Sequence, residues 1–330
     1  MARPRVFVAQ RMSDSGLDLL REHAEVVYPG NVHPLSKAEF LAHASNAEGL
    51  VAFVSDHVDA EIIHGCPDLR VVASFGKGFD NIDVAACTAR GVLVTINPEA
   101  LTDSTADLAI GLILSLCRNI LAGDRHVRSG EFRGWHPRNL LGVDFHHAAL
   151  GLIGFGNIGQ AIARRALAFD VDVAYHDPLR EPIPGVRRLD RNALLAWADY
   201  VVLAANPRPD NRHMIDAESL GRMKRGACLI NIARGSLVDE AAVAAAIGAG
   251  TLGGYAADVF EFEDQSIPDR PATIAEGLLT RTDATVLTPH LGTGTRQARD
   301  RLAISTAQQL LSALRGEIPP GALNPEAISR

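Results

Sequence analysis

Short runs of apolar and β-branched residues alternate with stretches of helical period along most of this chain. In the first hundred residues, four such runs predict strands: Val6 to Ala9, Leu50 to Val54, Leu69 to Phe75 and Val92 to Ile96. Helical segments, such as residues 15–23, lie between them. The alternation is typical of an α/β domain, in which helices cover both faces of a mostly parallel sheet.

A second series of strands follows a long apolar helix and a stretch without clear period. Capping residues from Thr102 onward predict a helix to about Leu121, and residues 122–148 are an excursion that a partner subunit could cover. Six more strands are predicted at Ala149 to Ile153, Val171 to Tyr175, Tyr200 to Ala204, Cys228 to Ile232, Tyr255 to Val259 and Thr285 to Leu287. This count fits a six-stranded doubly wound sheet. A last helix, about 296–314, could return to the first domain and make it discontinuous.

Composition narrows the classes of protein that this pattern can belong to. A chain of 330 residues with 47% hydrophobic and 22% charged residues predicts about two folded domains. A net charge of −7 weighs against nucleic-acid and membrane partners, so an anionic ligand needs a local cationic pocket. Four separated cysteines without a CxxC pair predict no disulfide framework and no metal site, which favours reduced thiols in the cytoplasm. No export signal or membrane span is expected, because the apolar runs are too short.

Three glycines, Gly154, Gly156 and Gly159, connect a predicted buried strand directly to a helix. The first allows a tight turn, the second lets main-chain amides approach a pyrophosphate, and the third lets the helix pack closely on the sheet. Asn157 and Ile158 stand where the helix begins. The pattern predicts a dinucleotide site, although a fortuitous glycine-rich turn is the alternative.

An acidic residue, Asp177, closes the next predicted strand. A carboxylate there can accept hydrogen bonds from the adenosine ribose and would repel a 2′-phosphate, so the sequence favours NAD over NADP. Arg180, three residues later, leaves room for NADP.

Three polar residues, Arg234, Glu263 and His290, stand at or after the ends of later strands, where open α/β sheets bind ligands. A guanidinium suits bidentate capture of an oxyanion, and an imidazole exchanges a proton near neutral pH. A carboxylate beside the imidazole would fix its tautomer, and Glu263 is the candidate. Taken singly, Arg234 could be a surface arginine and His290 a structural histidine.

The order of these segments resembles the D-isomer-specific 2-hydroxyacid dehydrogenase family over essentially the whole chain. The runs that carry the resemblance are GFGNIG at 154–159, NIARGSLVDE at 231–240, DVFEFE at 258–263 and TPH at 288–290. The resemblance implies that Arg234 holds the substrate anion, His290 is the acid/base and Glu263 tunes it. It also implies a homodimer formed through the segment after the long helix.

The resemblance further implies a domain organisation and a cofactor site. A discontinuous, flavodoxin-like substrate domain comprises residues 1–100 and 295–330, and a Rossmann-type NAD-binding domain comprises 101–294, with a dimerisation arm at about 122–148. The implied cofactor contacts beyond the glycine turn, Asp177, Arg234 and His290 are Lys77, Thr105, Pro207, Ile232, Ala233, Asp258 and Gly292.

Several local runs resemble the phosphonate (phosphite) dehydrogenases within that family. The feature that bears most directly on the substrate is Lys77, beside Gly78, because a second cation suits a phosphite dianion better than a monocarboxylate. Arg299 matches another cationic position, and Trp135 would reach the neighbouring subunit's site. The leading hypothesis is therefore NAD-dependent oxidation of phosphite to phosphate, in which His290 positions or deprotonates the attacking water or mainly binds the anion.

Departures from the phosphite pattern keep a second reading open. Val54, Leu140 and Thr293 stand where the phosphite enzymes carry other residues. The alternative is reversible reduction of a small 2-keto acid such as glyoxylate or hydroxypyruvate, in which Arg234 clamps the carboxylate. An NAD-sensing interaction protein is a third reading, because a fold can be reused without its chemistry.

Overall fold

The computed structural model describes residues 3–31 and 33–328. Within this part of the chain the strands are β1 Arg5–Val8, β2 Glu25–Val27, β3 Gly49–Ala52, β4 Val71–Ser74, β5 Leu93–Thr95, β6 Ala149–Ile153, β7 Asp172–His176, β8 Val186–Arg188, β9 Tyr200–Leu203, β10 Cys228–Asn231, β11 Gly254–Ala257 and β12 Thr285–Leu287. The helices are α1 Asp14–His23, α2 Lys37–Ala44, α3 Ala60–Gly65, α4 Val84–Ala89, α5 Thr102–Cys117, α6 Ile120–Arg128, α7 Asn157–Leu167, α8 Arg191–Trp197, α9 Ala217–Arg222, α10 Glu240–Gly248, α11 Glu276–Leu279 and α12 Arg296–Leu314. Short 3-10 turns lie at Pro209–Asn211, Gly235–Leu237, Glu261–Glu263 and Pro325–Ile328.

The chain divides into two compact units. Among the described residues, the first contains those up to Leu101, the short segment Asp264–Pro268 and those from Thr293 onward. The second contains Thr102–Glu263 and Asp269–Gly292. The sequence interpretation assigned residues 264–268 to the NAD-binding domain, whereas this segment groups with the first unit.

The first unit has a parallel five-stranded sheet in the order β2-β1-β3-β4-β5. This is the flavodoxin-like order of a doubly wound sheet. Sequence reasoning missed β2, an edge strand of three residues without a fully buried position. The helix α12 packs against α1, and Gln309 on α12 donates through Nε2 to the Ile96 carbonyl at 2.8 Å. The last helix therefore belongs to the same unit as the first hundred residues.

The second unit has a parallel seven-stranded sheet in the order β12-β11-β10-β9-β6-β7-β8. Counted from β6 this is 3-2-1-4-5-6-7, the order of a dinucleotide-binding sheet with one extra strand. The prediction of six strands was wrong because it omitted β8, in which only Val186 is buried. The chain order reverses between β6 and β9, so a crevice opens beyond their carboxyl ends.

Side chains of β6 alternate between the two faces of this sheet. Leu150 and Leu152 join the apolar cluster under α5 and α7, whereas Ile153 joins the cluster formed with α8 to α11. Both clusters consist of fully or nearly fully buried residues. The apolar runs of the sequence are continuous here because helices cover both faces.

The long apolar helix ends earlier than predicted. The helix α5 stops at Cys117, Asn119 adopts a left-handed backbone with φ 52°, and α6 starts at Ile120. Asn tolerates this conformation, and its amide donates to the Leu141 carbonyl at 3.0 Å, which holds the break. The predicted excursion at 122–148 therefore begins inside a helix.

Among the described residues no single helix is long and apolar enough to cross a membrane, and α5 with α6 would reach that length only across a 64° bend.

Candidate active site

The glycine-rich turn between β6 and α7 leaves its main chain open at one position. Gly154 has φ 95°, and a Cβ atom there would lie 2.5 Å from the Ala204 carbonyl carbon, so only glycine fits. A Cβ atom on Gly159 would collide with the Gly154 carbonyl oxygen. A Cβ atom on Gly156 would instead meet open space, with nothing within 4 Å. The turn is thus closed toward the sheet and open toward the α7 N-terminus.

Asp177 lies beside this turn at the end of β7. Its Oδ2 atom accepts a hydrogen bond from the Phe155 amide at 2.8 Å, and its Oδ1 atom accepts one from the Leu179 amide at 2.9 Å. Phe155 is buried and stacks on Tyr175 with ring centroids 3.9 Å apart. The carboxylate is therefore fixed against the main chain that precedes Gly156. An open helix N-terminus next to a fixed carboxylate fits a dinucleotide, with the amides facing the pyrophosphate and Asp177 facing the adenosine ribose.

Arg234 follows β10 in a turn that a buried amide organises. Asn231 is fully buried; its Nδ2 donates to the Arg234 carbonyl at 2.8 Å, and its Oδ1 accepts from the Ala233 amide at 3.1 Å. The half-buried Arg234 guanidinium donates through Nη1 to the Ala233 carbonyl at 2.9 Å. A guanidinium held at the carboxyl edge of the sheet can bind a carboxylate or another oxyanion.

His290 and Glu263 form a hydrogen-bonded pair. The Nδ1 atom of His290 donates to Glu263 Oε2 at 2.9 Å, and the Phe260 amide donates to Glu263 Oε1 at 2.7 Å. Both side chains are partly exposed, by 32% and 23% respectively. Because the carboxylate holds Nδ1, Nε2 is the ring nitrogen through which the imidazole could exchange a proton with a ligand.

The backbone of His290 is left-handed, with φ 55°, and Asp258 holds it there. Asp258 is 2% exposed; its Oδ1 accepts from the Thr288 hydroxyl and the Leu291 amide, both at 2.6 Å, and its Oδ2 accepts from the Gly292 amide at 2.8 Å. Burial raises the pKa of Asp258, and these three donors, with His290, oppose the rise. A strained backbone on a histidine persists only where its surroundings hold it.

The turns that carry Arg234 and Glu263 lie in direct contact. Gly235 is buried, and a Cβ atom there would overlap the main chain of Phe260 and Glu261. Since β10, β11 and β12 are neighbouring parallel strands, the residues after their carboxyl ends share one edge of the sheet. The second unit therefore brings a guanidinium and a hydrogen-bonded imidazole–carboxylate pair to the same edge; their roles as anion-binding group and acid/base pair stay predictions.

The remaining predicted cofactor residues of this unit are placed as follows. Thr105 and Gly292 are buried together, with the Thr105 hydroxyl donating to the Gly292 carbonyl at 3.3 Å. Beyond β10, Ile232 is buried and Ala233 is half-buried, and beyond β9, Pro207 is half-buried. Asn157 and Ile158 are the first two residues of α7. Their contact with a cofactor stays a prediction.

The predicted substrate residues outside these turns are more exposed or lie in the first unit. Lys77 and Gly78 are half-buried in the loop after β4, where the Ser74 hydroxyl donates to the Gly78 carbonyl at 2.8 Å. Arg299 is exposed on α12. Trp135 is 85% exposed in the second unit, beyond α6. The roles assigned to them from the sequence stay predictions.

Sequence reasoning did not select Asn231, Gly235 and Glu240 as functional, although the first two border Arg234. Glu240 is 6% exposed at the start of α10, and its two carboxylate oxygens accept from the Glu261 amide at 3.0 Å and the Ala275 amide at 3.2 Å. Burial raises the pKa of Glu240. The sequence carries no local signal for this role, because the two contacts lie 21 and 35 residues away.

A doubly wound sheet with an open glycine turn, an adjacent carboxylate and a histidine–glutamate pair defines a nicotinamide-dependent dehydrogenase. Residues 110–292 match the family described as D-isomer specific 2-hydroxyacid dehydrogenase, NAD binding domain. The chain is 37% identical to a glyoxylate reductase of Korarchaeum cryptofilum, covering 99% of this chain and 97% of that protein. It is 38% identical to a glyoxylate reductase of Pyrococcus horikoshii with the same coverage. The protein belongs to the D-isomer specific 2-hydroxyacid dehydrogenase family.

Solved structures support this assignment. A protein of Thermus thermophilus has a TM-score of 0.89 and 38% identity over 97% of this chain and 99% of that one. An NADPH-dependent glyoxylate/hydroxypyruvate reductase of Sinorhizobium meliloti, solved with NADP and malonate, has a TM-score of 0.85 and 27% identity over 99% of this chain and 98% of that one. The expected closeness to phosphonate dehydrogenases is not supported. The named relatives favour the 2-keto acid alternative instead.

Proposed function

We propose that the protein reduces a small 2-keto acid, such as glyoxylate or hydroxypyruvate, to the 2-hydroxy acid, with NADH as reductant. The observation that carries the proposal is the His290–Glu263 hydrogen bond of 2.9 Å at the sheet edge that also carries Arg234. The names of the relatives agree with it, since several are glyoxylate reductases.

Each residue at this carboxyl edge of the sheet has a different role in the proposed reaction. When bound, reduced nicotinamide supplies a hydride to the carbonyl carbon of the keto acid. Arg234 binds the substrate carboxylate and so orients the carbonyl group. His290 Nε2 gives its proton to the carbonyl oxygen as negative charge develops there, and Glu263 stabilises the imidazolium before that transfer. In the oxidation direction the same nitrogen accepts the hydroxyl proton.

Parallel assays of the purified protein test this reaction. We expect loss of NADH absorbance with glyoxylate or hydroxypyruvate, and little NADH formation from NAD and phosphite. No turnover of either keto acid, together with NADH formation from phosphite, would overturn the proposal. That result would favour the phosphite reaction suggested by Lys77. A dinucleotide that binds without turnover of any of the three substrates would indicate the sensing protein instead.

We also propose a preference for NAD over NADP. The Asp177 carboxylate is fixed by two main-chain amides beside the glycine turn, where a 2′-phosphate would meet a negative charge. Binding constants for NADH and NADPH, with Asp177→Ala as the comparison, test the point. We expect the wild-type protein to bind NADH more tightly and the variant to narrow the difference. Tighter binding of NADPH by the wild-type protein would contradict it.

A homodimer is the third part of the proposal. Exposed apolar side chains concentrate in residues 120–143, among them Val127 at 58%, Trp135 at 85% and Leu141 at 69% exposure. Such a patch is typical of a protein interface. Sedimentation of Val127→Glu combined with Leu141→Glu should give monomers, whereas Ile318→Glu, also at an exposed position (57%), should leave the dimer intact. A monomeric wild-type protein would contradict this part.

A further inference from the structure

One histidine outside the predicted site, His213, connects the turn that carries Arg234 with the turn that carries Glu263. It lies between the 3-10 turn Pro209–Asn211 and α9, and its backbone is left-handed, with φ 50°. Its side chain is 34% exposed. Non-glycine residues are uncommon in this conformation, although histidine adopts it more often than most, and it persists where surrounding contacts hold it.

The side chain of His213 binds the turn that carries Glu263. Its Nε2 atom donates to Glu261 Oε1 at 2.8 Å. The same oxygen accepts from Arg212 Nε at 3.1 Å and Nη2 at 3.0 Å, and the Glu261 side chain is only 7% exposed. Three donors on one buried carboxylate oxygen make a strong, directional anchor. Glu261 begins the 3-10 turn that ends at Glu263, so this anchor fixes the turn that presents Glu263 to His290.

The main chain of the same segment binds the turn that carries Arg234. The His213 amide donates to the Ser236 carbonyl at 2.8 Å, two residues beyond Arg234. The Ile215 amide donates to the Leu237 carbonyl at 3.0 Å, and a parallel bridge joins Ile215 to Val238. The segment 213–215 is therefore hydrogen-bonded along the Gly235–Leu237 turn.

We propose that His213 is a positioning residue that sets the register between the anion-binding turn of Arg234 and the acid/base turn of Glu263. The inference rests on the proposed 2-keto acid reduction, because it assigns these turns to one reaction. A substrate clamped by Arg234 receives its proton from His290 only if both turns keep their spacing. A displacement of about 1 Å between reacting groups can cost about a hundredfold in rate.

Two substitutions at this position separate the imidazole's role from backbone effects. His213→Ala removes the donor, whereas the amide of His213→Gln can still donate to Glu261, and both variants share the same left-handed backbone. Asp216→Ala is the control, because Asp216 caps α9 within its own segment by accepting from the Ser219 amide at 2.8 Å. Asp216→Ala should lower the melting temperature by weakening the same segment, without removing a contact to the turns that carry Arg234 and Glu263.

Steady-state kinetics and NMR provide the readouts. We expect His213→Ala to lower kcat for glyoxylate by about ten- to a hundredfold with little change in NADH affinity, and His213→Gln to recover most of that loss. The Nδ1 proton signal of His290, assigned by its absence in His290→Asn, should weaken in His213→Ala and persist in Asp216→Ala. If His213→Ala does not fold, His213→Asn, which tolerates the left-handed backbone but has no nitrogen at the position of Nε2, should give the same selective loss.

A kcat and a His290 signal that both survive His213→Ala would overturn the inference, as would an equal loss of kcat in Asp216→Ala. Failure of the proposed function has a different signature. In that case the wild-type protein would not reduce keto acids, while the NMR comparison would still decide whether His213 positions the pair.

Discussion

The two halves of the carboxyl edge of the seven-stranded sheet are held by different means. Beyond β6 the glycine turn is shaped by missing side chains at Gly154 and Gly159, and its main chain is open at Gly156. Beyond β10, β11 and β12 the turns are held by buried polar side chains, such as Asn231, Glu240 and Asp258. Main-chain amides suffice to bind phosphates, whereas proton transfer needs side chains aimed within fractions of an ångström.

The difference predicts which property each half loses when it is altered. A substitution in the glycine half should change cofactor affinity or folding without altering the chemical step. A substitution in the polar half should change the rate or the stability while the cofactor still binds. The following substitutions test this division, from the largest expected effect to the smallest.

His290→Asn should have the largest effect. Asn tolerates a left-handed backbone, and its amide can still donate to Glu263, but it has no group in place of Nε2. We expect keto acid reduction to fall by about 10²- to 10⁴-fold, as for loss of a general acid, with NADH affinity nearly unchanged. Stopped-flow turnover and fluorescence titration of NADH measure the two quantities. A parallel loss of NADH binding would break the proposed division.

Gly156→Ala should weaken the cofactor without harming the fold. The position has φ −71° and open space around a Cβ atom, so the free protein can accept alanine. The added methyl group would stand where the pyrophosphate approaches, and we expect NADH affinity to fall by about tenfold or more, equivalent to about 1.4 kcal/mol. Gly221→Ala, an exposed glycine of α9, is the matched control. Unchanged affinity in Gly156→Ala would place the dinucleotide elsewhere.

Gly154→Ala should act on folding instead. Its φ of 95° and the 2.5 Å approach to the Ala204 carbonyl carbon leave no room for a methyl group. We expect a loss of about 1–3 kcal/mol in the free energy of unfolding, from denaturant titration. A stability equal to that of Gly156→Ala would show that the turn relaxes freely, contrary to the structure.

Glu240→Gln should show a small, pH-dependent effect in the polar half. The glutamine loses an acceptor for one of two amides and should cost about 1 kcal/mol at about pH 4. Burial raises the folded-state pKa of Glu240 above 4.5, so its contribution to stability is complete below 4.5 and declines as pH rises through the folded value. The gap between wild type and variant should therefore narrow as pH rises. Melting temperatures across the acidic to neutral range measure it, and a widening gap would contradict the assigned direction.

Strong local signals explain what could be predicted from the sequence. The two doubly wound domains followed from the alternation of apolar runs and helices, and the fold class is confirmed. The edge strands β2 and β8 were not predicted, because strands of three residues with little burial show no alternation of apolar and polar positions. The break between α5 and α6 at Asn119 was not predicted, because the apolar pattern of the sequence continues past it.

At the candidate site, the sequence by itself determined that the glycine turn, Asp177, Arg234, Glu263 and His290 follow strands, because each belongs to a short motif next to a strand; their roles stay predictions. Only the tertiary structure decided that Glu263 bonds to His290, that Asp258 holds the histidine's strained backbone and that His213 joins the turns that carry Arg234 and Glu263. These contacts join residues 27 to 48 positions apart. A local pattern records which strand a residue follows, but hydrogen bonds between turns depend on the order in which the strands assemble.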